Sequence, residues 1–164
     1  MSKRLMIIVL VLAFAASVAA QQNAISDEAA IRQTIEHYLD GWKYNNVEEM
    51  KKALHPKAVM FFHLKKDNQD LAETTGERFL AAVERNGVRK DPKSFSPRIV
   101  SIDITTDVSS VKLELSYSDS WLYGGKVSPL EPSPGVIETR YLSLIKFNDG
   151  WKIISDTFNV REGK

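Results

Sequence analysis

The chain reads as an α+β domain, with helices first and strands last. Three observations predict it. Apolar residues recur at helical spacing through the first third of residues 21–164, and β-rich runs that alternate or are continuously apolar fill the end. The connections carry Asn-Asn, Asp-Gly and Pro/Gly punctuation. That order predicts three helices packed on one face of a curved antiparallel sheet.

Residues 1–20 are set apart from that domain. Lys3 and Arg4 precede 14 residues from Leu5 to Val18 without a charge, and Ala19-Ala20 precede Gln21-Gln22. A basic start, a short apolar run and small residues before a polar stretch form a secretory signal peptide. The apolar run is shorter than the roughly 20 residues a membrane-spanning helix needs. Cleavage near Ala20 is expected, giving a periplasmic or secreted protein with no further membrane segment. The chain has no cysteine, so neither a disulfide nor a lipid-modified cysteine is available.

Residues 21–164 are then one domain, long enough for its own core. With Lys3 and Arg4 gone, the 22 basic and 21 acidic residues of the whole chain leave the domain near charge neutrality, slightly acidic. That balance gives a polyanion no electrostatic purchase, so nucleic acid is not an expected partner.

The first helix is expected over 26–44. Ile31, Ile35, Tyr38, Leu39 and Trp42 share one face, and Arg32, Gln33, Glu36, His37 and Asp40 fall opposite, with His37 in solvent. Asn45-Asn46 breaks it. Asn46 with Glu49 reads as a capping box for a second helix through Met50 and Leu54, ended by Pro56. AVMFFHL (Ala58 to Leu64) is a strand, with LAETT as its partner. Thr74 with Glu77 opens a third helix, whose Phe79, Leu80 and Val83 face inward and which stops at Gly87.

Four β-rich runs follow: RIVSIDITT, VKLELSYSDSW, RYLSLIKF and WKIISDTFNV. The first two are joined around Asp107 to Ser110, and the last two through Asp149-Gly150, a strong hairpin signal. Ser118 to Thr139, rich in glycine and proline, is longer than a plain hairpin loop requires. In the last strand, regular alternation puts Trp151 and Ile153 in the core. Asp156 and Phe158 then fall on the outer face with Lys152 and Ile154. A β-bulge would invert that parity. Apolar residues on the outer face want a cover, and a second copy of the chain, sheet to sheet, is the expected one.

AIRQTIEHYLDGWKYNNVEEMKKALHPKAVMFFH resembles the opening of the nuclear transport factor 2-like superfamily, a cone-shaped α+β fold. Tyr38-Leu39-Asp40-Gly41 and Leu54-His55-Pro56 with Ala58, followed by RIVSIDI and YLSLIKFNDGWKIISDTF, resemble the putative lumazine-binding family within it. The resemblance runs through nearly all of the domain. It implies a pocket between helices and sheet, and dimers formed through the sheet. The sequence departs from the family in three places. An aspartate is usual where Arg140 precedes Tyr141, a basic residue is common near the end of the last strand, where this chain has Asp156, and the Ser118–Thr139 insertion is longer than usual.

The resemblance implies a small, largely apolar or flat heterocyclic ligand. Tyr38, Trp42, Phe62, His63, Tyr117, Trp121, Tyr123 and Tyr141 are the expected lining, with Trp121 and Tyr123 beside Gly124-Gly125 at the mouth. The alternatives are an enzyme of dehydratase, cyclase or isomerase type using Tyr38 and His63, and a dimeric module whose cone is filled. Steroid-type isomerases of this superfamily carry a carboxylate base on the first strand, where this chain has Phe61-Phe62-His63. His37, His55 and His63 lack metal-site spacing, and no phosphate-binding or hydrolase motif occurs, so neither metal nor cofactor is expected.

Overall fold

A computed structural model of the protein describes residues 26–63, 72–88, 95–117 and 136–162. The proposed leader and the segment 118–135, with Trp121 and Tyr123, lie outside the described residues.

Helix α1 occupies 26–44. Its apolar face behaves as the spacing requires: Ile31, Ile35 and Tyr38 are fully buried, and Leu39 and Trp42 pack against the same core. Asn45, at φ 52, turns the chain, and its side-chain amide ties the turn to the carbonyls of Val83 and Gly87. Helix α2 (Val47–Ala53) is capped by Asn46, whose side chain accepts from the Glu48 and Glu49 amides. The capping box is only half made. Glu49 turns away from the cap to pair with His37 at 2.7 Å and Lys52 at 2.5 Å. His37 is therefore held by an ion-pairing carboxylate and partly shielded, not loose in solvent.

Leu54 is the last residue of α2's cap and the first of strand β1 (Leu54–His63), which starts earlier than the apolar run alone indicates. Pro56 stands inside the strand and not merely after a helix. Strand β2 (Ala72–Thr75) pairs antiparallel with β1, and Thr75 rather than Thr74 caps helix α3 (Gly76–Asn86). Leu80 and Val83 are buried, and Gly87 ends the helix at φ 68, as its sequence indicates.

Strands β3 (Phe95–Thr105), β4 (Val108–Tyr117), β5 (Val136–Phe147) and β6 (Gly150–Glu162) form a meander. The full order is β2-β1-β6-β5-β4-β3. The sheet is mixed, not wholly antiparallel, because β1 lies parallel to β6. That pairing joins the first strand to the last and places β6 in the middle, where both its edges are hydrogen-bonded.

Register shifts occur between β1 and β6, β3 and β4, and β5 and β6, and the last two set which residues of the meander face the helices. Between β3 and β4 the register passes from Ile99↔Leu113 to Ser101↔Lys112, leaving Val100 extra and 40% exposed. Between β5 and β6 it passes from Leu144↔Ile153 to Ser143↔Ser155, leaving Ile154 extra. Each bulge shifts the inward set by one residue. Trp151 and Ile153 point inward before the second bulge, and Asp156 points inward after it, with no exposure at all. The parity reading of Asp156 as an outer-face charge is corrected by that single extra residue. Phe158 moves with it, so the outer face loses one of the apolar residues expected there.

The core lies between α1 and the inner face of the sheet, where Ile31 and Ile35 meet Leu113, Leu142, Leu144 and Ile153. Fully burying one such side chain is worth about 1.5–3 kcal/mol.

Candidate functional site

Four ionisable or phenolic side chains are fully buried together at one end of this core: Tyr38, Glu138, Arg140 and Asp156. The elements that deliver them are unrelated in sequence. Tyr38 comes from the apolar face of α1. Glu138 and Arg140 alternate with Leu142 along the inner face of β5, and Asp156 stands opposite Leu142 on β6.

The Tyr38 hydroxyl donates to Asp156 Oδ2 at 2.5 Å and accepts from Arg140 Nη1 at 2.6 Å. Arg140 Nη1 also donates to Asp156 Oδ2, and Arg140 Nε pairs with Glu138 Oε1. One guanidinium thus serves two carboxyl groups and a phenol. Its plane is also packed among rings, 4.8 Å from the Trp42 centroid and 4.2 Å from that of Phe158. Arg140 and Phe158 are register partners across β5 and β6, which puts the ring directly beside the guanidinium. Trp42, one helical turn after Tyr38, stacks edge-on to it at 6.4 Å and continues to Phe79 of α3 at 5.2 Å.

Burial pushes the Tyr38 phenol well above its ordinary value of 10.0. Arg140 opposes the shift and Asp156 adds to it. Tyr38 is therefore a neutral hydroxyl with its proton committed to Asp156. Asp156 uses one oxygen for Tyr38 and Arg140. Its other oxygen, Oδ1, has no hydrogen-bond partner among the described residues although the residue is fully buried.

Apart from Trp121 and Tyr123, which lie outside the described residues, the expected lining divides three ways. Tyr38 and Trp42 are in the cluster or against it. Tyr141 is not: it sits between inward-facing Arg140 and Leu142, points to the outer face and is 56% exposed, with the Lys112 ammonium 5.7 Å from its ring centre. Simple strand alternation removes it from the interior. Phe62, His63 and Tyr117 have described backbone only. Phe62 pairs in register with Phe158 and His63 with Asn159.

Glu138, Arg140 and Asp156 were not among the residues expected to line a site. Arg140 and Asp156 did carry a signal, at two of the three places where the sequence departs from the resembled pattern. The structure pairs them with each other across β5 and β6.

The model of the family described as putative lumazine-binding matches residues 26–122, more than half of the chain. The chain belongs to that family. The matched stretch includes Tyr38 and Trp42 and ends before β5, so Arg140 and Asp156 lie beyond it. No curated protein matches the chain.

Solved structures give the fold. An NTF2-like protein of unknown function from Shewanella baltica superposes with a TM-score of 0.62 at 17% identity, covering 85% of this chain and 97% of that one. One from Silicibacter pomeroyi, also of unknown function, gives 0.61 at 16%, covering 86% and 98%. A third such protein, from Methylobacillus flagellatus, gives 0.60 at 20%, covering 84% and 94%. The chain has the nuclear transport factor 2-like fold, and at these identities the likeness is one of fold alone.

Proposed function

We propose that this chain is a small-molecule-binding domain whose ligand lies between helix α1 and the sheet, with the Tyr38–Arg140–Asp156 cluster at its polar end. The cluster is the observation that carries this reading. Removing a guanidinium and two carboxyl groups from water costs several kcal/mol per ion, and apolar residues of the same size are often as stable or more so. A fold that needed only stability gains little from it. Buried, mutually bonded ionisable groups beside aromatic rings are the usual furniture of a ligand site. The family's description names lumazine, a flat heterocycle, and Trp42 beside the cluster is an aromatic surface of the kind such a ligand packs on.

Binding is favoured over isomerase-type catalysis by the direction of one hydrogen bond. An oxyanion donor must offer its proton to the substrate. The Tyr38 proton is already given to Asp156 at 2.5 Å.

Two further parts of the proposal stand on other residues. The sequence of residues 1–20 supports export and cleavage near Ala20. The outer sheet face, where Tyr141 is 56% and Val100 40% exposed, supports a homodimer formed sheet to sheet.

Native mass spectrometry of the protein prepared gently from the periplasm tests all three. The expected species is a dimer whose chains begin near Gln21 and which carries a discrete added mass, lost on Trp42→Ala. An empty protein that also gains no thermal stability from a panel of flat heterocycles would sink the binding reading.

A further inference from the structure

We propose that the cluster selects a ligand whose buried end is a hydrogen-bond donor, cationic by preference, held by Asp156 Oδ1, and that it rejects carboxylate and phosphate ligands. The inference rests on the binding reading and names the chemical class that the site takes.

The orphaned oxygen leads to it. Asp156 is fully buried, Oδ2 receives both Tyr38 and Arg140, and Oδ1 receives nothing among the described residues. A buried acceptor left unmade is costly, and a carboxylate oxygen more so than a neutral one. An N–H donor on Oδ1 satisfies the oxygen, and a positive charge on that donor makes the bond a charge-assisted one. An anionic head group would set a like charge against the same oxygen.

Arg140 is held in place. Its Nη1 is bonded to Tyr38 and Asp156, its Nε is paired with Glu138, and the guanidinium lies against the Trp42 and Phe158 rings. The competing account puts a proton on Asp156. That would make Oδ1 a donor and would favour ligands that accept.

Benzamidine, benzamide and benzoate separate these cases. They share a ring and a planar head group, and differ in charge and in donors. Titration calorimetry on the whole mature protein should give benzamidine at least about tenfold tighter than benzoate, with benzamide between them. Asp156→Asn keeps the shape and removes the charge, and should weaken benzamidine by about tenfold while leaving benzamide within about threefold. Benzoate binding as well as benzamidine overturns the proposal, and so does an order that survives Asp156→Asn. The wild-type order needs no variant, so it decides the matter even if Asp156→Asn does not fold. Equal binding of all three would leave the binding reading standing and remove the donor class. No binding of any probe would remove the donor class, and together with an empty, unresponsive native protein the binding reading too.

Discussion

The hydroxyl of Tyr38 and the carboxylate of Asp156 meet at 2.5 Å across 118 positions of sequence, inside the core. Arg140 completes the contact, donating to both. This arrangement joins the first helix to the two central strands through polar bonds at a place where the rest of the core is apolar. It makes the cluster answerable to measurements of stability as well as of binding.

The pH dependence follows from Tyr38. Its folded value lies well above 10.0, chiefly through burial. The unfolded phenol loses its proton first, so above that pH the unfolded state binds fewer protons and stability falls as pH rises. Below 10.0 the contribution is complete. Phenolate absorbance of the native protein should therefore change little near pH 10 on Tyr38→Phe, because the lost phenol was not titrating there. A native titration that loses one tyrosine's amplitude in Tyr38→Phe would contradict the burial of the hydroxyl.

Arg140→Met leaves two acids without their shared base. Breaking a buried pair from one side typically costs about 3–5 kcal/mol. Arg140→Met combined with Asp156→Leu should cost less than the two single changes added together, by at least about 1 kcal/mol, because the groups are in contact. Urea unfolding of the four proteins measures the coupling. Strict additivity would mean that the two side chains do not interact in solution.

The strand β6 bulge gives a less obvious expectation. Ile154 is the extra residue between Ile153, opposite Leu144, and Ser155, opposite Ser143. Deleting Ile154 restores a plain ladder against β5, with Ile153 and Asp156 both still inward. The deletion should keep cooperative unfolding and the shielded Tyr38 phenol, at a cost of no more than about 3 kcal/mol. Inserting one alanine after Ser155 turns Asp156 outward and should lose both. The reverse pattern would show that the bulge is not what aims Asp156.

Gly76 opens α3 against the backbone of β1. A Cβ there would stand 2.7 Å from the His55 carbonyl oxygen and 2.8 Å from that of Pro56. Helix preference alone would favour alanine by about 1 kcal/mol. The close approach opposes it, since main-chain oxygens cannot rotate away, and overpacking costs about 1–3 kcal/mol. Gly76→Ala should therefore lower the unfolding midpoint, and an increase would show that α3 can move off the strand.

The local grammar of the chain is readable because it acts over a few residues. Ile31, Ile35 and Tyr38 repeat at helical spacing and are buried. Asn46 caps its helix because its short side chain reaches the next free amides. Gly87 ends α3 because a glycine adopts φ 68 without strain. The unexpected charges at Arg140 and Asp156 were visible too, but as two separate oddities on different strands. Their meaning depended on the pairing of β5 with β6.

What the tertiary structure decided are the features that need distant segments. The parallel pairing of β1 with β6 has no local signature, since it joins segments some ninety residues apart through backbone bonds that any sequence can make. The extra residue at Ile154 is equally silent, because Ile153, Ile154 and Ser155 all suit a strand. Yet it reverses every later side chain of β6 and carries Asp156 from the outer face into the core. Alternation is a strict rule along one strand, and register against a neighbour is what breaks it. The sequence therefore predicted the helices, the hairpins and the fold class, while the polar cluster came into being only where α1, β5 and β6 meet.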